Sequence, residues 1–426
     1  MSQPLHPRSG CALRGNSVTF RGKRVLAECV QCGRTHEVSP ITFRCPSCGG
    51  PLDIVVEPRV TPWSSLKGSV KGVWRYASLL PVPDDIEPVS LGEGWTPLIR
   101  AERLEKLLGL RRVYVKFEGC NPTGSFKDRG MTVAISLAVR LGVRRFIVAS
   151  TGNTSASAAA YAASAGRECY VLLPAGGVAR GKLVQAVLHG AKVVEVTGSF
   201  DDALEVVMKL AERRPDPYPL NSFNPWRLEG QKTASYEVVE QLGKVPDWVV
   251  VPVGNAGNIS AVGKAFLELR ELGVTKDVPR LVGVQASGAA PIAKAWASGR
   301  KRLEPVKSPA TVASAIRIGR PVNWLKAWRV VERSGGTFVA VDDDDILRAQ
   351  VELARLAGVG AEPAGAASLA GLKKLREEGV VDPGDEVVLV VTGHALKDPD
   401  TAGVVSYQTI SARSLGEVSR LLSGGS

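Results

Sequence analysis

Lys127 has the clearest chemical setting in this chain of 426 residues. It stands in the run Glu118-Gly119-Cys120-Asn121-Pro122-Thr123-Gly124-Ser125-Phe126-Lys127-Asp128-Arg129-Gly130. An extended stretch at 113–117 precedes that run, and a small-residue, helix-compatible segment at 131–138 follows it. A lysine where a turn opens a helix, fenced by Gly124 and Gly130, meets helix-terminal NH groups that disfavour a nearby cation. That setting suits an amine that must work unprotonated, or as the imine of a carbonyl compound. By composition alone, a solvated lysine in a polar loop is the competing reading.

The cysteines offer a second chemistry. Four of the seven form Cys29-x2-Cys32 and Cys45-x2-Cys48, separated by 12 residues, while Cys11, Cys120 and Cys169 stand alone. Each pair is followed by glycine (Gly33; Gly49-Gly50), which permits the tight turns of a zinc knuckle. Four thiolates on one Zn2+ would let a small N-terminal segment fold with little core, and would leave the ion no open position for catalysis. Two disulfides or a redox pair are the alternatives, and an intracellular chain disfavours them. His36, between the knuckles, reads as an ordinary surface histidine.

Three further loops carry polar or glycine-rich chemistry where a strand gives way to a helix or turn. Ser150-Thr151-Gly152-Asn153-Thr154-Ser155 forms an anion nest of NH groups and hydroxyls. Val253-Gly254-Asn255-Ala256-Gly257-Asn258 lets backbone NH groups approach a phosphate at a helix N-terminus. A dinucleotide turn is its rival, but the G-x-G-x-x-G spacing is absent. Thr392-Gly393-His394-Ala395-Leu396-Lys397-Asp398 follows the last apolar run, and His394 there reads as a hydrogen-bonding scaffold.

The elements that must position these loops alternate. Strand-like runs at 145–149, 169–173, 192–196, 248–253, 281–284 and 386–391 are separated by helical segments at 155–165, 182–189, 201–213, 259–272 and 344–356, the last with Asp344 as N-cap. Near-continuous Val/Ile/Leu strands between helices imply an α/β protein with parallel sheets covered on both faces, and ligands at the strands' carboxyl ends. A Pro- and Trp-bearing connector begins at 51–62 and continues through Leu80-Pro81-Val82-Pro83-Asp84-Asp85. It reads as an ordered linker.

Asn121-Pro122-Thr123-Gly124-Ser125-Phe126-Lys127-Asp128-Arg129-Gly130 resembles the lysine motif of fold-type II pyridoxal-phosphate (PLP) enzymes, most closely that of the threonine synthase family. The likeness extends to Leu91-Gly92-Glu93-Gly94-Trp95-Thr96-Pro97-Leu98 and to Asn221-Ser222-Phe223-Asn224-Pro225-Trp226-Arg227-Leu228-Glu229-Gly230-Gln231-Lys232-Thr233, and spans most of 91–400. The resemblance implies a tryptophan synthase β-like fold of two lobes with parallel-rich sheets, plus an N-terminal zinc ribbon. Residues 1–58 would form the ribbon and 59–426 the catalytic domain, with a small lobe at about 121–230. Lys127 would be the Schiff-base lysine, Asn153 the partner of the cofactor's phenolic oxygen, and Gly254, Asn255, Ala256, Gly257 and Asn258 the cradle of its phosphate. Thr392 would face the pyridine nitrogen. Thr151, Thr154 and Ser155 are candidates for the substrate carboxylate, and Arg227 with Ser222 and Asn221 for a substrate phosphate, which arginine's rigid fork suits. The implied reaction converts O-phospho-L-homoserine and water to L-threonine and phosphate. Ala395 stands where the family often has glycine.

Composition sets the remaining expectations. Apolar content of 44% is ample for a core, no run reaches membrane-span length, and no secretory signal pattern is present, so a soluble cytoplasmic protein is expected. The net charge of +12 comes from scattered Lys and Arg; a nucleic-acid binder would more often show a basic stripe, and a basic enzyme with an anionic cofactor and an anionic substrate is equally compatible. The resemblance implies a small phosphorylated amino-acid substrate and no nucleic acid. A homodimer is expected by resemblance. Sister PLP enzymes (threonine or serine dehydratase, a phosphoserine-dependent cysteate or cysteine synthase), a zinc-ribbon nucleic-acid or regulatory protein and a nucleotide-binding oxidoreductase stay open at this point.

Overall fold

In the computed structural model, the residues described are 19–20, 23–37, 39–57, 63–66, 71–175, 180–213, 216–399, 411–412 and 414–422. Cys11 and parts of the connector (58–62 and 67–70) lie outside them.

A six-stranded sheet organises the larger lobe, in the order Thr337–Val341, Arg280–Ala286, Trp248–Pro252, Glu386–Val391, Arg112–Phe117, Leu98–Arg100. All neighbours are parallel except the last pair. Trp248–Pro252 and Glu386–Val391 are buried along their whole length. Their side chains alternate between two cores, as the period of a strand requires. Val250, Val387, Leu389 and Val391 pack with Leu353, Ala366 and Leu369, whereas Val249, Val251, Val388 and Val390 pack with Ile259 and Phe266. Helices therefore cover both faces, and this is why the strands read as apolar runs rather than as an alternation.

The smaller sheet is parallel throughout, in the order Tyr218–Pro219, Arg145–Ala149, Glu168–Pro174, Lys192–Val196. The helix Lys127–Arg140 bridges the site to this lobe and places Met131, Ala134, Ile135 and Ala138 in its core. A separate antiparallel sheet near the N-terminus pairs Lys23–Cys29 with Thr35–Glu37 and with Leu52–Glu57.

Two local differences from the sequence reading have physical causes. The expected helix from Asp344 runs Asp343–Ala357, with Asp342 at the cap position. The Asp343 carboxylate accepts from Val312 N at 3.0 Å, so it secures a neighbouring loop. The connector supplies two 3-10 helices, Trp63–Leu66 and Val73–Leu79, because Trp63 and Tyr76 stack on each other and both pack against the Tyr236 ring, which orders it.

One helix pair sets the distance between the chemical groups. Lys127–Arg140 meets the short helix Pro225–Gln231 backbone to backbone. A Cβ on Gly130 would lie 2.6 Å from the Arg227 carbonyl oxygen, and one on Gly230 would lie 1.8 Å from that of Arg129. Any larger residue at either place would push Arg227 away from Lys127.

Candidate active site

The lysine loop is fixed from beneath by a fully buried ionic cluster. Arg129, two residues after Lys127, donates to Glu118 at 2.6 and 2.7 Å and to Glu237 at 2.6 and 2.8 Å. Lys116 Nζ pairs with Glu237 at 2.7 Å. All four side chains have no exposed surface, and their charges balance. Such a cluster tolerates no loss of a single member, because the remaining charges would be buried and unpaired. Glu237 also accepts from Trp95 N and Thr96 N, so the Gly-Trp-Thr turn ahead of the domain is held by the same group.

Above that base the loop is stitched to the loop after the last strand. Phe126 N donates to the Thr392 carbonyl at 3.1 Å, and His394 N to the Gly124 carbonyl at 2.9 Å. Glu362 N in turn donates to the Gly393 carbonyl at 3.0 Å. The Asp128 carboxylate accepts from Thr123 N, Thr123 Oγ1 and Ser157 Oγ and closes the turn.

One cavity then gathers Lys127, Asn153, Ser222, Arg227, Gly254, Asn255, Ala256, Gly257, Asn258 and Thr392. Burial, reinforced by the nearby Arg227 guanidinium and opposed by Glu362, pushes the Lys127 amine down to about 7. Half of it is therefore an unprotonated nucleophile near neutral pH. Arg227 is 1% exposed, and its Nε and Nη2 have no hydrogen-bond partner. Burial alone pushes that guanidinium down to about 10. A buried arginine with free N–H groups and no carboxylate is built to receive an anion.

A second anion seat lies opposite. The helix Gly257–Glu271 begins in the cavity, preceded by Ala256 in the left-handed region at φ 64°. Its first NH groups have no intrahelical partner, and the buried Asn258 Nδ2 has none either. A Cβ on Gly254 would lie 3.0 Å from Ile316 Cα, so a larger residue there would press on the segment that walls the cradle. A phosphate at this helix start and an aldehyde at Lys127 match the two ends of pyridoxal phosphate, and the residues present fit that cofactor.

The remaining expected residues are placed differently. Thr151, Thr154, Ser155 and Asn221 do not line the cavity. Ser155 Oγ donates to the Gly152 carbonyl at 2.7 Å, within its own helix start. The Asn221 amide is clamped to both backbone groups of Ala149, at 3.0 and 2.8 Å. His394 Nδ1 accepts from Leu396 N at 3.1 Å while its ring stacks on Phe117. Sequence reasoning missed Phe126, Gln231, Ala315, Ile316, Ala364 and Glu362, all of which line the cavity. Glu362 accepts from Asn153 Nδ2 at 3.0 and 2.9 Å, and burial raises its pKa. An acid directly before Pro363 at a helix start was the available signal.

The four thiols of Cys29, Cys32, Cys45 and Cys48 converge, with every Sγ within 4.8 Å of the others. None forms a disulfide. His36 is not the ordinary surface residue expected: its Nε2 lies 3.2 Å from Cys45 Sγ, because the pairing of Thr35–Glu37 with Lys23–Cys29 turns it toward the cluster. Soft thiolates in this number suit Zn2+.

Comparison with known proteins bears on the same residues. A sequence profile of the family described as pyridoxal-phosphate dependent enzyme matches residues 89–393. The threonine synthase of Methanocaldococcus jannaschii is 52% identical over 392 residues, 91% of this chain and 96% of that protein. That of Methanosarcina acetivorans is 50% identical over 88% of this chain and 92% of its own length, and that of Mycobacterium bovis 50% over 82% and 93%. Among solved structures, threonine deaminase isoform 2 from Solanum lycopersicum superposes with a TM-score of 0.61 at 22% identity, covering 82% of this chain and 91% of that one. Maize serine racemase superposes at 0.60 and 21% identity, covering 77% and 91%, and these two share the fold. With half of its residues identical to threonine synthases along most of its length, the chain belongs to the threonine synthase family of pyridoxal-phosphate-dependent enzymes.

Proposed function

We propose that this chain converts O-phospho-L-homoserine and water into L-threonine and inorganic phosphate. The observation that carries the choice of substrate is Arg227, a buried guanidinium with two unpartnered nitrogens in the same cavity as Lys127. An unphosphorylated hydroxy amino acid would leave that charge unpaired. Pyridoxal phosphate would be held with its aldehyde at Lys127 and its phosphate at residues 254–258, and would supply an electron sink for the charge left on the substrate's carbons when protons are removed.

The chain's own residues account for the rest. Arg227, with Ser222 beside it, receives the substrate phosphate. The Lys127 amine, neutral in good part near pH 7, takes the proton from the α carbon, passes it to the cofactor side of the bound substrate and, neutral again, takes one from the β carbon. The γ carbon gains a proton to become the methyl group, water adds its hydroxyl at the β carbon, and Lys127 returns the α proton. Thr392 would offer a neutral hydroxyl to the cofactor's ring nitrogen, and Asn153, braced by Glu362, would hold its phenolic oxygen. Thr151, Thr154 and Ser155 are assigned to the substrate's carboxylate, and Asn221 to its phosphate.

The same reading takes Cys29, Cys32, Cys45 and Cys48 as a structural Zn2+ site in a ribbon of residues 1–58, and 59–426 as the catalytic domain with its small lobe near 121–230. It places the protein in the cytoplasm as a homodimer, to whose interface the exposed apolar Leu188, Leu415 and Leu422 could contribute. A direct assay tests the substrate: purified protein with PLP is given O-phospho-L-homoserine, O-phospho-L-serine or L-threonine, and phosphate, threonine and 2-oxo acid are measured. Preference for phosphoserine, or 2-oxo acid as main product, rejects the proposal in favour of a sister enzyme.

A further inference from the structure

The thiol cluster is continuous with the scaffold of Arg227. Cys29 and Cys45 share one buried apolar cluster with Ile54, with Val133 and Leu137 of the lysine helix, and with Trp226. Trp226 is fully buried and directly precedes Arg227. Two residues beyond Arg227, Glu229 binds Lys264, whose Nζ also donates to the Ile54 carbonyl at 2.6 Å. Lys326 Nζ donates to the Leu52 carbonyl and pairs with Asp53 at 3.2 Å. The ribbon grips the small lobe as well: Phe43 packs edge-on against Tyr218, whose Oη donates to the Pro40 carbonyl at 2.8 Å.

These contacts matter because the helix carrying Arg227 has only seven residues, Pro225–Gln231. A helix that short cannot hold itself, so its position comes from what packs on it. On the cavity side the Arg227 Nε and Nη2 touch no hydrogen-bond partner that could fix their aim. On the other sides lie the lysine helix, through Gly130 and Gly230, and the ribbon, through Trp226 and Ile54. The ribbon's own shape depends on its four thiols being drawn to one point, since its core is small.

We propose that the four-cysteine ribbon is a metal-dependent positioning element for Arg227: with one ion on Cys29, Cys32, Cys45 and Cys48, it fixes Trp226 and the Ile54 carbonyl, and through them the guanidinium's aim at the substrate anion. The inference rests on the reading of Arg227 as the anion-binding residue. It assigns the ribbon to substrate affinity rather than to the proton transfers at Lys127.

The test uses PLP-loaded full-length protein titrated calorimetrically with inorganic phosphate and assayed with O-phospho-L-homoserine. Lys326→Met cuts the strap to Leu52 and Asp53 without altering the cavity or the thiols, and Cys32→Ser removes an exposed ligand. Each variant is expected to bind phosphate about tenfold more weakly, with KM rising in parallel, while kcat and the visible band of the bound cofactor stay within about twofold of wild type. Cys32→Ser also loses its zinc, read by elemental analysis. If Cys32→Ser does not fold, wild-type protein stripped of its metal by a chelator takes its place beside Lys326→Met, with the same loss of phosphate affinity expected. Phosphate affinity within about twofold of wild type in the folded variants overturns the inference. Arg227→Gln separates the causes. If it loses phosphate while the ribbon variants keep it, only the positioning role fails. If it too binds phosphate normally, the anion assignment fails, and the inference with it.

Discussion

Replacing Arg227 with methionine should make the cofactor-free protein more stable and the enzyme worse. The guanidinium is 1% exposed, and burial lowers its pKa from 12.5 to about 10. At about 1.4 kcal/mol for each tenfold step, holding that charge without a partner costs the empty fold about 3 kcal/mol. Methionine fills similar space and needs no partner, so the variant should gain about 1–3 kcal/mol after packing differences. The sign with pH follows from the same shift. A base whose folded pKa is lowered carries the full cost below its folded value and loses it only as pH climbs from about 10 towards 12.5. The gain should therefore be flat between about pH 6 and 9. Binding shows the opposite effect. Two lost charge-assisted hydrogen bonds, each worth about 1.5–3 kcal/mol, raise KM for O-phospho-L-homoserine by about 10²–10⁴-fold. Urea unfolding of both proteins in phosphate-free buffer, followed by tryptophan fluorescence, reads the stability. Added phosphate should then stabilise the wild type more than Arg227→Met, which keeps only the seat at 254–258. A variant less stable than wild type by more than about 1 kcal/mol, with its KM unchanged, would refute the reasoning.

Three other outcomes follow from the same geometry. In the cofactor-free protein, Lys127 should be acylated by an amine reagent with a midpoint near pH 7, its neutral fraction rising with pH, and Arg227→Met should move that midpoint up; mass-spectrometric footprinting showing a midpoint typical of surface lysines contradicts this. Arg129→Met should cost about 3–5 kcal/mol in urea unfolding by stranding Glu118 and Glu237. Against the burial that would raise it, Arg129 and Lys116 hold Glu237 at about 2 rather than 4.5, so its share of stability is present above pH 4.5 and fades as pH falls through 2. The gap between wild type and Arg129→Met should narrow in that acid window, and a constant gap contradicts the assignment. Glu362→Gln should keep an acceptor for Asn153 while removing a buried carboxylate that favours the Lys127 cation, so the Lys127 footprinting midpoint should fall further; no change in that midpoint denies the electrostatic contact.

The parts of the site built from backbone were legible in the chain, and those built from distant side chains were not. A phosphate seat at a helix start needs glycine and small residues in succession, so 254–258 stand out by residue type alone. A glycine-bearing turn before a lysine is likewise local, and the parallel sheet follows from apolar runs such as Trp248–Pro252. Glu362 and Ile316 arrive from elements far along the chain, placed by a sheet order that no local pattern encodes. Asn221 and Ser155 show the converse. Their types suit a ligand, but in the fold their polar atoms satisfy Ala149 and Gly152. His36 was misjudged because strand pairing, not spacing, turns it toward Cys45.

The most direct test of the central claim is a product balance on purified, PLP-loaded protein supplied with O-phospho-L-homoserine. The account predicts phosphate and L-threonine released one for one, and neither product from the Lys127→Ala variant. Phosphate release without threonine, or threonine formation that survives the loss of Lys127, would contradict it.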